Sequence, residues 1–173
     1  MKRNSTATYL VRTAILLALA LVFQIGFRAF AQPLVGPLVN MVLILSAALV
    51  GTVSGVLVGC FTPLIAFAFG IMPLFPLVPF IMIGNSLLVI VFNAIRTRVS
   101  NYGDYVGIVV AAFVKFVFLA FSVRQLLSLF IPKVPPKIIA AFSLPQLFTA
   151  LIGGIVALIV IKFLPEDMYI KNN

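Results

Sequence analysis

Three basic residues lie within or at the edge of long apolar stretches of this chain, and none has a carboxylate nearby in sequence. They are Arg28, Lys115 and Arg124, whereas the chain's 3 acidic residues lie in polar connections or in the tail. An unpaired cation inside a lipid bilayer must either reach the interface or meet an anion. The pattern therefore predicts a membrane protein that binds a small anion.

Neutral hydrogen-bonding side chains occur at a similar predicted depth on several apolar segments. Asn85 and Gln146 each lie roughly six to eight residues from the outer end of their segments, about 10 Å below the membrane surface. Asn40, early in the second segment, and Arg28, near the outer end of the first, fall in the same layer. For any one of these residues, the alternative to a ligand contact is an interhelical hydrogen bond or, for the arginine, snorkelling to the interface. Together, these side chains from four segments predict a binding pocket.

Lys115 and Arg124 share one segment but not one face of it. Their spacing, at about 100° per residue, places them on nearly opposite sides of a regular helix. Lys115 lies about ten residues into the segment, where snorkelling is hardest, and Ser122 shares its face. We therefore predict that Lys115 contacts the substrate. Arg124 and its neighbour Gln125 are close enough to the outer surface to snorkel or to hold a loop, and an irregular helix would make Arg124 a further candidate.

The composition indicates that lipid is the solvent for most of the surface. Of the residues, 64% are hydrophobic and 9% are charged. The length of 173 residues has room for about six membrane spans of roughly 20 residues each. We predict an all-α integral membrane protein: a compact bundle of six transmembrane helices forming one domain over residues 1–173. A basic segment, 1–8, precedes the bundle, and a short tail, 165–173, follows it. The predicted spans are 9–31, 37–50, 53–69, 77–95, 105–130 and 138–164.

The distribution of lysine and arginine predicts that both termini are cytoplasmic. The predicted inner side carries Lys2, Arg3, Arg96, Arg98, Lys162 and Lys171, and the outer loops carry Lys133 and Lys137. This parity would fail if the second and third spans were one broken helix. Although the net charge is +9, the basic residues are scattered at segment ends, so we expect no nucleic-acid partner.

The predicted outer loops, 32–37, 70–76 and 132–137, are rich in proline. Because 71–75 is apolar, we expect it to fold back over the bundle, with a turn resting in the lipid interface as the alternative.

Enzymatic functions lack the residues that they need. The chain has no histidine to serve as the base of an intramembrane serine protease, and no acid within a span to hold a metal or act as an acid or base. We therefore expect no enzymatic activity, no metal and no cofactor. The single cysteine, Cys60, excludes an internal disulfide. The alternative from another class is a non-transporting membrane scaffold of the cell-shape type, which would leave the polar cluster unexplained.

Small residues recur at four-residue spacing on two segments. Gly55 and Gly59 are predicted to allow close helix packing, with Gly51 in the preceding turn. Ala14 and Ala18 form a second pair, early in the first span. An alanine pair there, followed by the segment 45–51 (LSAALVG) that leads into the two glycines, resembles the substrate-binding (S) component of energy-coupling factor (ECF) transporters. The resemblance covers essentially the whole chain.

The resemblance implies a high-affinity binding subunit for a vitamin or related micronutrient in a prokaryotic plasma membrane. Such a subunit binds substrate near the outer face and docks on a membrane coupling (T) protein driven by two cytoplasmic ATPases. It also implies that Ala14 and Ala18 form the docking surface. The chain has no phosphate-binding loop of its own, so ATP hydrolysis falls to the partners.

The substrate itself is constrained only by the chemistry of the predicted pocket. A pocket that contains cationic and amide side chains but no acidic one suits a molecule with a carboxylate or phosphate and with several hydroxyl or amide groups. Pantothenate fits this description, and nicotinate, folate and other acidic heterocycles are alternatives. The absence of tryptophan disfavours a large aromatic ligand.

Overall fold

The computed structural model describes residues 6–27, 31–72 and 74–165, and all regular structure in these ranges is helical. The helices are α1 (Thr6–Leu21), α2 (Ala31–Leu49), α3 (Thr52–Ala68), α4 (Leu77–Arg98), α5 (Gly103–Phe121), α6 (Pro136–Ala141) and α7 (Leu144–Phe163). A π-helical turn, Val22–Gly26, extends α1. A second π-helical turn, Ser122–Leu126, and a 3-10 turn, Leu127–Leu129, extend α5.

These helices confirm the prediction of an all-α membrane bundle. In the described ranges, four helical stretches are long and apolar enough to cross a membrane: Thr6–Gly26, Leu77–Arg98, Gly103–Leu129 and Pro136–Phe163. Between the first and second of them lie two shorter apolar helices, α2 and α3. The described part of the bundle therefore has six long helices, with α6 as a short additional one.

The centre of the bundle is α2, because its middle section is apolar on nearly every side. All residues from 40 to 47 are buried. A helix that is hydrophobic all round belongs in the interior rather than at the surface. Helices α7, α3 and α4 surround it, whereas α1 lies at the periphery and buries only Thr13 and Ala20.

A tight turn at Gly51 separates α2 from α3. The φ angle of Gly51 is 131°, a conformation that glycine adopts without the strain of a side chain. The second and third predicted spans are thus two helices, and the parity of the predicted topology is kept. After the turn, a methyl group on Gly55 would lie 2.7 Å from Val89 Cγ1, so α3 approaches α4 closely at this glycine.

Two predicted boundaries are wrong. Residues 32–37, expected in a loop, belong to the first turns of α2, where the first turn of a helix tolerates Pro33. The predicted sixth span, 138–164, is divided into α6 and α7 at Phe142 and Ser143. Pro145 explains this break, because it lacks the N–H that a continuous helix would donate to the carbonyl of Ala141.

Polar contacts at the predicted cytoplasmic end join the helices that meet there. Thr13 Oγ1 on α1 donates to Ser54 Oγ on α3 at 2.8 Å, and Ser54 Oγ lies 2.7 Å from Ser46 Oγ on α2. Arg96 and Asp104 form an ion pair, with 2.8 Å between Nε and Oδ1, between the end of α4 and the start of α5. Ion pairing and hydroxyl contacts therefore close this end of the bundle.

The first testable prediction concerns orientation. In a Cys60→Ser background, a cysteine introduced at Val134 should react with a membrane-impermeant maleimide on intact cells, because Val134 lies in the connection predicted to be outside. A cysteine at Thr97, which is exposed near the end of α4, should react only after permeabilisation. The measurement is labelling before and after permeabilisation. Labelling of Thr97→Cys but not Val134→Cys on intact cells would reverse the orientation.

Candidate functional site

The side chain of Lys115 is buried at the junction of three helices. It is 3% exposed, and its Nζ donates to Asn40 Oδ1 of α2 at 2.6 Å and to Asn85 Oδ1 of α4 at 2.8 Å. Among the described residues the single carboxylate, Asp104, is paired with Arg96 instead. An ammonium group has three N–H donors, so these two amides leave one for a ligand.

A second set of contacts orients the two asparagines. Asn85 Nδ2 donates to the carbonyl oxygen of Gly59 at 3.0 Å, and Asn40 Nδ2 lies 3.5 Å from Thr149 Oγ1. Each amide group thereby turns its oxygen toward Lys115 and its nitrogen toward the rest of the bundle. The asparagine side chains that hold the amine of Lys115 are therefore themselves held in position by further contacts.

Glycines allow the helices to come close enough for these contacts. A methyl group on Gly59 of α3 would lie 2.9 Å from Asn85 Cβ. One on Gly153 of α7 would lie 2.8 Å from Asn40 Cβ and would also clash with the carbonyl oxygen of Pro37. Close backbone approach at small residues is the usual way to join helices in a membrane. Here it also sets the positions of both asparagines.

A cavity of about 400 Å³ opens above Lys115, toward the predicted outer end of the bundle. This volume lies in the range of small-molecule sites. Its polar lining consists of Gln24, Asn40, Thr62, Asn85, Lys115, Lys137 and Gln146. The other walls are mainly apolar and include Ile71 and Met72, so the connection between α3 and α4 folds back over the bundle as predicted.

The structure brings together four of the six side chains that the sequence singled out as ligand contacts. Lys115, Asn40, Asn85 and Gln146 all line the cavity, from α5, α2, α4 and α7. Gln146 lies in the first turn of α7, because the predicted sixth span is divided just before it. Arg28 lies outside the described residues.

Arg124 lies in a different place. It belongs to the π-helical turn after α5, is exposed, and does not line the cavity. Its Nη2 donates to Ser143 Oγ at 3.0 Å, at the junction of α6 and α7. The helix is irregular there, yet Lys115 points inward and Arg124 outward, as their spacing predicts for a regular helix.

Three polar residues of the cavity were not singled out from the sequence. Gln24 lies in the π-helical turn after α1, Thr62 in α3, and Lys137 in α6. The rule that selected Asn85 and Gln146, a polar side chain within an apolar run, applies equally to Gln24 and Thr62 and would have found them. Lys137 was counted only as an outer-loop cation, because α6 was not foreseen as a separate element over the cavity.

The alanine pair lies on the opposite side of α1 from the bundle. Ala14 and Ala18 are both exposed, on the same face as the exposed Val11 and Ile15, whereas Thr13 faces Ser54. The buried residues of α1, Thr13 and Ala20, lie elsewhere on the helix, so burial within the described part of the chain does not explain the small residues of this face.

Comparison with known protein families gives a match over most of the chain. The family model described as the ECF transporter substrate-specific component matches residues 8–165. No curated protein and no solved structure matches the chain. Since the matched region includes every described helix except the first two residues of α1, the family membership applies to the bundle and its cavity together. This chain belongs to the substrate-specific components of ECF transporters, the membrane subunits that bind the transported substrate and are not enzymes.

Proposed function

We propose that this chain binds a small anionic micronutrient in the cavity above Lys115, with pantothenate as the leading candidate. The observation that supports this most directly is the buried amine of Lys115, which lines the cavity and, among the described residues, is held by two amide oxygens. A ligand carboxylate would supply the negative charge that the described part of the bundle does not bring to this position. In the prokaryotic plasma membrane, the bound substrate would then be imported by the coupling subunit and the ATPases.

The energetic argument is the desolvation of two opposite charges. Moving a carboxylate from water into a partly dehydrated cavity costs several kcal/mol unless a fixed cation and hydrogen bonds replace its hydration. Lys115 provides a cation whose position is already fixed by Asn40 and Asn85. The ligand therefore meets a preorganised partner, and little further side-chain ordering is needed on binding.

The remaining lining favours an aliphatic acid with further polar groups. Gln24, Thr62 and Gln146 offer amides and a hydroxyl that could contact hydroxyl or amide groups of a ligand. Phe142 is the single aromatic side chain among the described residues that line the cavity, which limits stacking with a flat ring. Pantothenate has a carboxylate, an amide and two hydroxyls on an aliphatic skeleton. Nicotinate and folate, which depend more on a planar ring, fit this lining less well.

We propose further that Ala14 and Ala18 form the surface that docks on the coupling subunit. Both are exposed on a helix that contributes little to the core, and small residues permit another helix to approach closely. The alternative of a cell-shape scaffold does not agree with the family to which the chain belongs.

The second prediction tests whether Lys115 binds the charge of the ligand. Lys115→Met keeps the length of the side chain and removes the ammonium, so it should weaken pantothenate binding by on the order of 2 to 5 kcal/mol. Asn85→Ala should cost about 1 to 3 kcal/mol, since it removes a neutral hydrogen-bonding group that holds the amine. Calorimetry on purified protein measures both.

The matched control for Lys115 is a neutral ligand. The amide of pantothenate should bind wild type poorly and should be nearly indifferent to Lys115→Met. If acid and amide lose affinity equally in this variant, Lys115 stabilises the bundle and does not recognise the carboxylate.

The third prediction uses two neighbouring glycines of α7. Gly153→Ala should separate α7 from α2, displace Asn40 and weaken ligand binding by on the order of tenfold, because the added methyl meets backbone of α2. Gly154→Ala is the control, because its methyl would lie 2.5 Å from Cγ2 of Ile108, away from the asparagines. Affinity and thermal stability of both variants are compared. If Gly153→Ala and Gly154→Ala lose stability to the same extent and also lose affinity to the same extent, Gly153 contributes to helix packing and has no specific effect on Asn40.

The fourth prediction concerns docking. Ala18→Trp should leave ligand affinity nearly unchanged while abolishing uptake and co-purification with the coupling and ATPase subunits, because the indole would keep the partner helix at a distance. The control is Val109→Trp, at a lipid-facing position of α5 that is 58% exposed. It should leave ligand affinity, uptake and co-purification unchanged. Loss of binding together with uptake in Ala18→Trp would assign the alanine pair to packing within the bundle.

A further inference from the structure

Arg124 is a cation that the substrate cavity does not use. It lies in the π-helical turn Ser122–Leu126, and its Nη2 donates to Ser143 Oγ at 3.0 Å. Ser143 Oγ in turn donates to the carbonyl oxygen of Ile139 at 2.7 Å. This hydroxyl holds one edge of the guanidinium group. Because a guanidinium has five N–H donors, most of its capacity is left for a partner outside the described contacts.

An almost entirely apolar groove begins at Arg124 and runs along α5. It is lined by Phe116, Val117, Ala120, Phe121, Arg124 and Gln125 and has a volume of about 350 Å³. Its lining extends over ten residues of helix, which is about 15 Å at the rise of an α-helix. From Arg124, near the predicted outer surface, the groove therefore leads toward the middle of the membrane.

The side of α5 that carries this groove faces lipid. Val117 is 46% exposed and Phe121 is 56% exposed, in a chain whose helices span a membrane. The single carboxylate in the described ranges, Asp104, lies at the other end of α5 and is paired with Arg96. The described protein therefore supplies no negative charge at Arg124, and a cation at the membrane interface attracts an anionic headgroup.

We propose that Arg124, Gln125 and this groove form a binding site for one anionic phospholipid of the outer leaflet. The lipid phosphate accepts hydrogen bonds from the guanidinium, and an acyl chain lies along Val117 and Phe121. A free phosphate would use the cation but leave the apolar groove empty, so a lipid makes use of both features. A zwitterionic lipid fits less well, because its own ammonium group competes for the phosphate charge.

Such a lipid would be linked to the wall of the substrate cavity through Arg124 and Ser143. Ser143, which holds Arg124, lies between α6 and α7, and the adjacent Phe142 lines the cavity. A headgroup on Arg124 thereby fastens the outer end of α5 next to the junction of α6 and α7. This proposal does not depend on the identity of the transported substrate.

The experiment is native mass spectrometry of the purified full chain with equal amounts of phosphatidylglycerol and phosphatidylcholine. Wild type should retain phosphatidylglycerol about fivefold more than phosphatidylcholine, which corresponds to about 1 kcal/mol for one basic residue at the interface. Arg124→Gln should lose this preference. Ser143→Ala should keep it, because that variant removes the contact within the protein and leaves the charge.

Two further variants separate the site from general charge effects. Lys133→Gln removes an exposed cation of the connection before α6, and Lys115→Met removes the cation of the substrate cavity; both should keep the preference. No preference in wild type, or a preference that persists in Arg124→Gln, would overturn the proposal. Equal loss in Lys133→Gln would assign the effect to net charge. Displacement of the lipid by millimolar inorganic phosphate would identify a free anion as the ligand instead.

Discussion

The buried amine of Lys115 and its two amide oxygens set the requirements that the rest of the structure meets. A charged group removed from water is costly unless hydrogen bonds replace its hydration. Asn40 and Asn85 provide this replacement from two other helices, so α2, α4 and α5 must meet at one point. Gly59 on α3 and Gly153 on α7 let these two helices pack directly against the asparagines, because a larger residue at either position would push an asparagine away. The small-residue pattern and the polar cluster are therefore parts of one arrangement.

The two ends of the bundle differ in how their helices are built. At the predicted cytoplasmic end, regular helices are joined by the tight turn at Gly51, by hydroxyl contacts and by the ion pair of Arg96 and Asp104. At the other end α1 and α5 pass into π-helical turns, α2 contains Pro37, and the last predicted span is broken before α7. Proline and π-helical turns change the regular geometry of a helix locally, and π-helical turns are frequent at functional sites. The cavity lies at this end, where the helices are less regular.

The sequence predicted the helical class, the positions of most helices and four of the cavity residues, because burial in lipid makes apolar runs and isolated polar residues conspicuous. It did not predict the break in the last span or the extension of α2 over Pro33, since proline is compatible with both a loop and the first turn of a helix. Lys137 was not predicted to line the cavity because the break in the last span was not predicted. Its proximity to the cavity depends on α6, a short helix that exists only because of that break.

Helix α1 connects the two regions of the molecule that the proposed function requires. Its π-helical turn brings Gln24 to the cavity, and its exposed face carries Ala18, six residues earlier in the same continuous helical stretch. Between them α1 buries only Ala20, and nearer its start it is held by the hydroxyl of Thr13. A weakly buried helix moves at a lower free-energy cost than a central one such as α2. Under the proposed docking, a partner that shifted α1 would carry Gln24 with it, whereas Lys115, Asn40 and Asn85 are buried and hydrogen-bonded to one another. The proposed docking on α1 would then alter one wall of the cavity and leave the proposed anion site intact.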